Sequence, residues 1–375
     1  MNPNTPFTKR QNKLKELLSD SGFDALALNP GPSLYYLTGL HFHLSERPII
    51  AIFPLEKPNI IILPELEAPK IKRLDIEIDA IDYGEDPHTW PGIFRDAIIG
   101  LGLVNDARIG IEDRRMRVLE LRLLKESIPD QNKILTANEL ITELRIIKDI
   151  NEIEAMRKAV DIAEHALSAT IGMIYPGVSE QEIASELTLQ LLRNGSQPEL
   201  PFFPIVSSGP NSANPHATPS ERILTPGDML VIDWGATYSG YVSDITRTFA
   251  IGYISQEFEK IHQVVLDANT AGREAVQSGL KAEQIDEAAR NQIAQAGYGQ
   301  FFIHRTGHGI GIEGHEPPYI RQGNQRILSP GMTFTIEPGI YLPEENGVRI
   351  EDDVLVTEDG GQSLTTIKRE LTVIE

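Results

Sequence analysis

Residues 224–235 (Leu-Thr-Pro-Gly-Asp-Met-Leu-Val-Ile-Asp-Trp-Gly) are matched by residues 328–339 (Leu-Ser-Pro-Gly-Met-Thr-Phe-Thr-Ile-Glu-Pro-Gly), an offset of 104 positions. Helical periodicity precedes both copies. Ile150, Ile153, Met156, Val160, Ala163, Leu167, Ile171 and Ile174 step by three and four, the buried face of a long helix. Asp149 with Glu152, and Ser179 with Glu182, have the spacing of capping boxes and open two consecutive helices. Two more helices are expected after Ser255 and over residues 282–296. Each copy therefore reads helix, helix, strand, turn, strand. Two copies are too few for a solenoid, so the pattern predicts one α+β domain of two pseudo-twofold halves with a site between them.

The first 135 residues follow a different pattern. Strand-like apolar runs at 25–28, 49–53, 59–63, 76–81 and 108–111 are interleaved with helical stretches at 66–73, 90–99 and 115–126. This predicts an α/β domain with a partly parallel sheet. No glycine-rich phosphate loop follows its first strand. The expected organisation is residues 1–135 as an N-terminal domain, 136–148 as a linker and 149–375 as the second domain. A net charge of −20, from 54 acidic and 34 basic residues, argues against a nucleic-acid partner. No apolar run reaches membrane-spanning length and residues 1–20 show no apolar signal region, so a cytoplasmic protein without a membrane partner is expected. The absence of cysteine excludes disulfides, thiolate zinc sites and a cysteine nucleophile.

Each copy of the repeat carries an acid at the same place inside an apolar strand, Asp233 and Glu337. Asp244 follows the turn Tyr238-Ser239-Gly240. If the turn is centred between Tyr238 and Ser239, Asp233 and Asp244 are directly opposed. Their like charges then require neutralisation, for which a shared divalent cation is suited. Glu351 stands in the corresponding place after Glu337. Its 14-residue separation calls for a bulge or a longer loop. Four converging carboxylates match two divalent ions in charge, a known hydrolytic arrangement.

Histidines add to this picture. His304, His308 and His315 lie in one glycine-rich segment, and His216 precedes the first acidic hairpin. Imidazole with carboxylate suits Mn-, Co- or Zn-type ions. His165 and His262 lie within long helices and are expected to be surface or packing residues. Residues 309–314 formally match a dinucleotide fingerprint, but His315-Glu-Pro-Pro318 follows where a helix would have to open. Those glycines are instead expected to let the backbone approach metal or substrate.

Taken with their flanking phrases, Asp233, Asp244, His308, Glu337 and Glu351 resemble the five metal ligands of the pita-bread metallopeptidases, family M24. Residues 1–135 resemble the creatinase-type N-terminal domain of Xaa-Pro aminopeptidases and prolidases. The resemblance implies a metal-dependent exopeptidase that cleaves Xaa-Pro bonds of small proline-containing peptides through a water bound by two metals. Manganese is the first choice, with cobalt or zinc possible. It implies that Asp244 and Glu351 bridge the metals and that Asp233, His308 and Glu337 complete them, Glu337 also serving as general base. It further implies that His216 and His315 contact the scissile carbonyl region, that His304 lines the proline-side pocket, that Arg349 sits behind the ligands, and that the chain forms a homodimer. Several prolidases carry an arginine shortly after the His-Glu pair to grip a dipeptide carboxylate. Here Tyr319 stands near that place and Arg321 two residues on. The departure favours an aminopeptidase, with the Xaa-Pro dipeptidase as alternative. A non-catalytic binding protein on the same fold is a more distant one.

Overall fold

The computed structural model describes residues 5–72, 74, 76–103, 106–128 and 133–375. The chain divides into two units, Met1–Arg145 and Ile146–Glu375. In the first unit the order is α1 (Pro6–Ser21), β1 (Ala25–Leu28), α2 (Pro32–Thr38), β2 (Ile50–Pro54), β3 (Ile60–Pro64), α3 (Ala68–Ile71), β4 (Asp79–Tyr83), α4 (Trp90–Gly100), β5 (Ile109–Ile111), α5 (Val118–Ser127), β6 (Ile134–Thr136) and α6 (Asn138–Arg145). The strands form one sheet in the order β4-β3-β2-β1-β5-β6. Its pairs are parallel at β3–β4, β1–β5 and β5–β6, and antiparallel at β1–β2 and β2–β3. Every residue of β1, β2 and β3 is buried, which explains why they read as unbroken apolar runs rather than alternating ones. The helix expected over 66–73 is a single turn, α3, after a 3₁₀ turn; Arg73 lies outside the described residues. Residues 136–148, read above as a linker, carry α6.

The second unit runs α7 (Ile150–Thr170), α8 (Glu180–Arg193), β7 (Ile205–Ser208), β8 (Met229–Trp234), β9 (Thr237–Tyr238), β10 (Tyr241–Val242), β11 (Ile245–Ile251), α9 (Gln256–Glu274), α10 (Ala282–Gln295), β12 (Gly307–Gly309), β13 (Glu316–Ile320), β14 (Thr333–Ile336), β15 (Gly339–Tyr341), β16 (Gly347–Arg349), β17 (Asp352–Thr357), β18 (Gly360–Ser363) and β19 (Thr372–Ile374). Two sheets carry it, β19-β11-β8-β7 and β13-β12-β14-β17-β18. The repeat is visible in their order: β7-β8-β11 in one half corresponds to β12-β14-β17 in the other. It extends to single hydrogen bonds. Gly177 N donates to Leu224 O and Gly279 N to Leu328 O, each at 2.9 Å. Isolated bridges pair Ser179 with Ile223 and Lys281 with Ile327. The two capping boxes expected at Asp149 and Ser179 are both formed. Trp234, within the first copy, is fully buried and its Nε1 donates to Ala163 O of α7 at 2.8 Å.

One expectation about register is corrected. Asp233 pairs with Thr246, not with Asp244, because Tyr238 pairs with Tyr241 and the hairpin turns at Ser239-Gly240. Both turn residues have positive φ, +50° and +80°, as a type I′ turn requires. The turn is thus centred one position later than the midpoint of the aspartates, and Asp244 becomes the diagonal neighbour of Asp233 on the same face. In the second half the register of β14–β17 and β15–β16 places Glu337 opposite Glu351, with the longer loop 342–346 absorbing the extra residues.

Packing within the sheet accounts for part of the glycine-rich segment. A Cβ on Gly307 would lie 1.8 Å from Thr335 O, and one on Gly309 would lie 2.2 Å from Pro317 O. At Gly307 and Gly309 the missing Cβ lets backbone meet backbone in the sheet, whereas Gly311 meets the side chains of Glu316 and Lys148 and Gly314 faces open space. Among the described residues no helix is long and apolar enough to cross a membrane.

Candidate metal centre

The ends of the two hairpins bring the acids together. Asp233 lies at the end of β8, Asp244 just before β11, Glu337 just after β14 and Glu351 just before β17. Glu351 joins the halves directly: its N–H donates to Thr246 O at 3.1 Å, and its carboxylate accepts from Thr246 Oγ1 at 2.6 Å. His308, on β12, faces them with Nε2 at 3.7 Å from Asp244 Oδ2 and 3.5 Å from Glu337 Oε1. Within the second unit, three groups have ligand atoms within 4.8 Å of one another: Asp233, Asp244 and Glu351; His308, Glu337 and Glu351; and Asp244, His308 and His315. Asp244, His308 and Glu351 each belong to two of them.

The electrostatics match the geometry. Burial pushes the carboxyls of Asp233, Asp244 and Glu351 upward; Asp244 and Glu351 are driven well above the usual range, with neighbouring carboxylates adding to the effect. Burial likewise raises Glu337 to about 7, against the pull of Arg349. Burial keeps His308 neutral, far below its ordinary value, and lowers His315 to about 4. Asp233 Oδ1 and Glu351 Oε1 are buried without any hydrogen-bond partner. A largely buried cluster of acids with open lone pairs facing a neutral imidazole fits divalent cations of the Mn, Co or Zn type.

Behind the acids runs a chain of hydrogen bonds. Arg349 donates from Nη2 to Asp233 Oδ2 at 2.7 Å, from Nε to Thr246 Oγ1 at 3.1 Å and from Nη1 to Tyr341 Oη at 3.0 Å. Tyr341 Oη lies 2.8 Å from His304 Nε2, whose ring stands 4.0 Å from Glu337 Oε2 through Nδ1. His304 is thus brought to the centre, and burial lowers it to about 3. His315 packs on His308, ring centroids 3.8 Å apart. His216 stays outside the three groups on an exposed loop, yet close enough for its charge to act on Asp233, His304 and His315. Sequence reading missed Thr246, Tyr341 and Asp353. Thr246 was findable, since strand alternation puts it on the face of Asp244. Tyr341 and Asp353, whose Oδ2 accepts from Asp244 N at 3.1 Å, carry no periodicity that marks them.

Comparison with known proteins now bears on the site. Residues 154–358 match metallopeptidase family M24, and residues 10–147 match the creatinase/prolidase N-terminal domain. The chain belongs to metallopeptidase family M24. Among its M24 relatives, the probable dipeptidase PepE of Mycobacterium tuberculosis is 36% identical over 362 residues, 95% of this chain and 93% of the relative. The Xaa-Pro dipeptidase of Pyrococcus horikoshii is 34% identical over 367 residues, 97% of this chain and 99% of the relative. A crystal structure of a prolidase from Thermococcus sibiricus superposes with a TM-score of 0.91 at 36% identity, covering 99% of this chain and 100% of that one. The protein is accordingly a metallopeptidase with a creatinase-type N-terminal domain and a pita-bread domain, and it belongs to a family that uses divalent metals.

Proposed function

We propose that the protein is an Xaa-Pro dipeptidase whose reaction is carried by the acid and histidine cluster between the two hairpins. The observation that carries this reading is that full-length relatives sharing both domains bear dipeptidase and prolidase names. The aminopeptidase preference drawn from Tyr319 gives way for a second reason. Tyr319 does not leave that region without a cation: Arg305 lies over its ring with Cζ 4.7 Å from the centroid, and Arg305 Nη2 is 3.2 Å from His315 Nδ1. A guanidinium beside His315 can take the carboxylate of a dipeptide with paired N–H donors.

Asp233, Asp244, His308, Glu337 and Glu351 would hold two divalent cations, manganese by choice. Bound cations would supply Lewis-acid activation of water and of the scissile carbonyl. The remaining work falls to the chain itself. Glu337, with Oε1 3.5 Å from His308 Nε2, would take a proton from the attacking water and pass it towards the proline nitrogen. His315 and His216 would donate hydrogen bonds to the carbonyl oxygen as it gains charge. Tyr341 and Arg349 fix His304 and Asp233 in orientation.

The test compares hydrolysis of an Xaa-Pro dipeptide and an Xaa-Pro-Yaa tripeptide, with manganese and with chelator. The expected result is a dipeptide preference of roughly 100-fold or more in kcat/KM, lost with chelator and restored by manganese. A tripeptide preference would make it an aminopeptidase. Hydrolysis of neither substrate by metal-loaded protein would leave a binding role.

A further inference from the structure

Glu180 is a carboxylate with no exposure at the start of α8, remote in sequence from every residue of the centre. Its Oε1 accepts from Ser208 N at 2.7 Å and Ser208 Oγ at 2.8 Å. Its Oε2 accepts from Ser220 N at 3.0 Å and Ser220 Oγ at 2.7 Å. Asn211 Nδ2 donates to both oxygens at 3.1 Å. Ser208 ends β7 and Ser220 closes the loop that follows; His216 is carried between them. One carboxylate therefore holds both feet of that loop, one oxygen to each foot. The far side of the loop is tied to the acidic hairpin, where Arg349 Nη1 donates to Pro215 O at 3.3 Å and Gly347 N to Ser212 Oγ at 2.8 Å.

The repeat indicates that this clamp is not a requirement of the fold. The bridges of Ser179 with Ile223 and Lys281 with Ile327 make Ala282 the counterpart of Glu180. Ala282 N still donates to Arg326 O at 2.9 Å, as Glu180 N does to Arg222 O at 3.1 Å, so the backbone is reproduced without the acid. The acid occurs in the half that carries the His216 loop.

We propose that Glu180 is a positioning residue that sets the His216 loop over the metal centre. The inference rests on the role given to His216 above. A glutamine at 180 offers one oxygen and one NH2, so it can satisfy one foot only. At the other foot a serine hydroxyl can rotate to accept, but the backbone N–H cannot.

The experiment is a double-mutant cycle of Glu180→Gln with His216→Ala, read as kcat/KM on an Xaa-Pro dipeptide, with bound manganese measured in each protein and amide hydrogen exchange followed over residues 208–220. The expected result is that E180Q lowers kcat/KM by roughly 10- to 100-fold in the parent and changes it little in the H216A background. Metal content should be unchanged, and exchange should accelerate at one or both feet. An equal loss in both backgrounds, a loss of bound manganese, or no effect in the parent overturns the proposal. Full activity of H216A overturns the role of His216 instead, a separately readable failure. If E180Q does not fold, Asn211→Ala, which removes the donor shared by both oxygens, is carried through the same cycle with the same outcomes.

Discussion

Thr246 receives a hydrogen bond from Arg349 Nε and gives its own proton to Glu351 Oε2, while its carbonyl holds Glu351 N–H. One small side chain thus orients an acid that the other half of the repeat contributes. Replacing Thr246 by Val keeps shape and strand propensity but removes both side-chain bonds. Outer partners of metal ligands commonly affect affinity by 10–100-fold, so Thr246→Val should weaken manganese binding by roughly that factor and, by leaving Arg349 Nε and Glu351 Oε2 unpaired, lower the stability of the stripped protein by about 1–3 kcal/mol. Calorimetric titration of the stripped protein with manganese measures it; unchanged affinity would mean that Glu351 keeps its orientation without the hydroxyl.

Elements explain what the amino-acid sequence does and does not reveal. Asp233 and Glu337 are legible because the repeat places both in apolar strands, where an unpaired acid is costly. The pairing of Asp233 with Asp244 was misplaced because turn centring depends on which two residues take positive φ, and both Tyr238-Ser239 and Ser239-Gly240 are short polar candidates. Glu180 was invisible for another reason: its partners lie 28 to 40 residues away, and a lone acid in a helix's first turn usually means only a favourable helix dipole. Helix α9 carries a consequence of its own. His262 lies on its buried face with Phe258, Ile261 and Val265, and Nε2 has no partner. Burial lowers it to about 4, with Arg247 lowering it further and Glu370 opposing. Because the native state refuses a proton that the unfolded chain accepts from about 6.5 downward, stability should fall as pH drops from 6.5 to 4, by at most about 3 kcal/mol. Melting curves of the parent and His262→Phe across that range should diverge as pH falls, the variant having the flatter profile. Parallel profiles would remove His262 as the source.

At the scale of the catalytic unit, a fully buried acid, Asp352, helps join the two halves behind the metal centre. Asp352 accepts from Arg247 Nη2 of β11 at 2.8 Å, from Asn269 Nδ2 of α9 at 3.0 Å and from Arg369 Nε near the C-terminus at 2.7 Å. Burial alone would push this carboxyl up, but Arg247 and Arg369 overcome it and hold it below the ordinary carboxylate range. Arg247 goes on to donate to Glu351 O at 2.7 Å, so the seam and the ligand strand share one guanidinium. Burying one acid among arginines gives modest net stability when all are paired, whereas removing the acid leaves the cations stranded. Asp352→Asn should therefore cost about 3–5 kcal/mol and lower the melting temperature by roughly 10 °C or more. Replacing Asp352 with Leu and Arg247 with Met together should recover part of that loss, because the apolar pair strands fewer charges. If the single variant melts within a degree or two of the parent, the arginines have found other acceptors. The joint between the halves would then lie in the Thr246–Glu351 bridge instead.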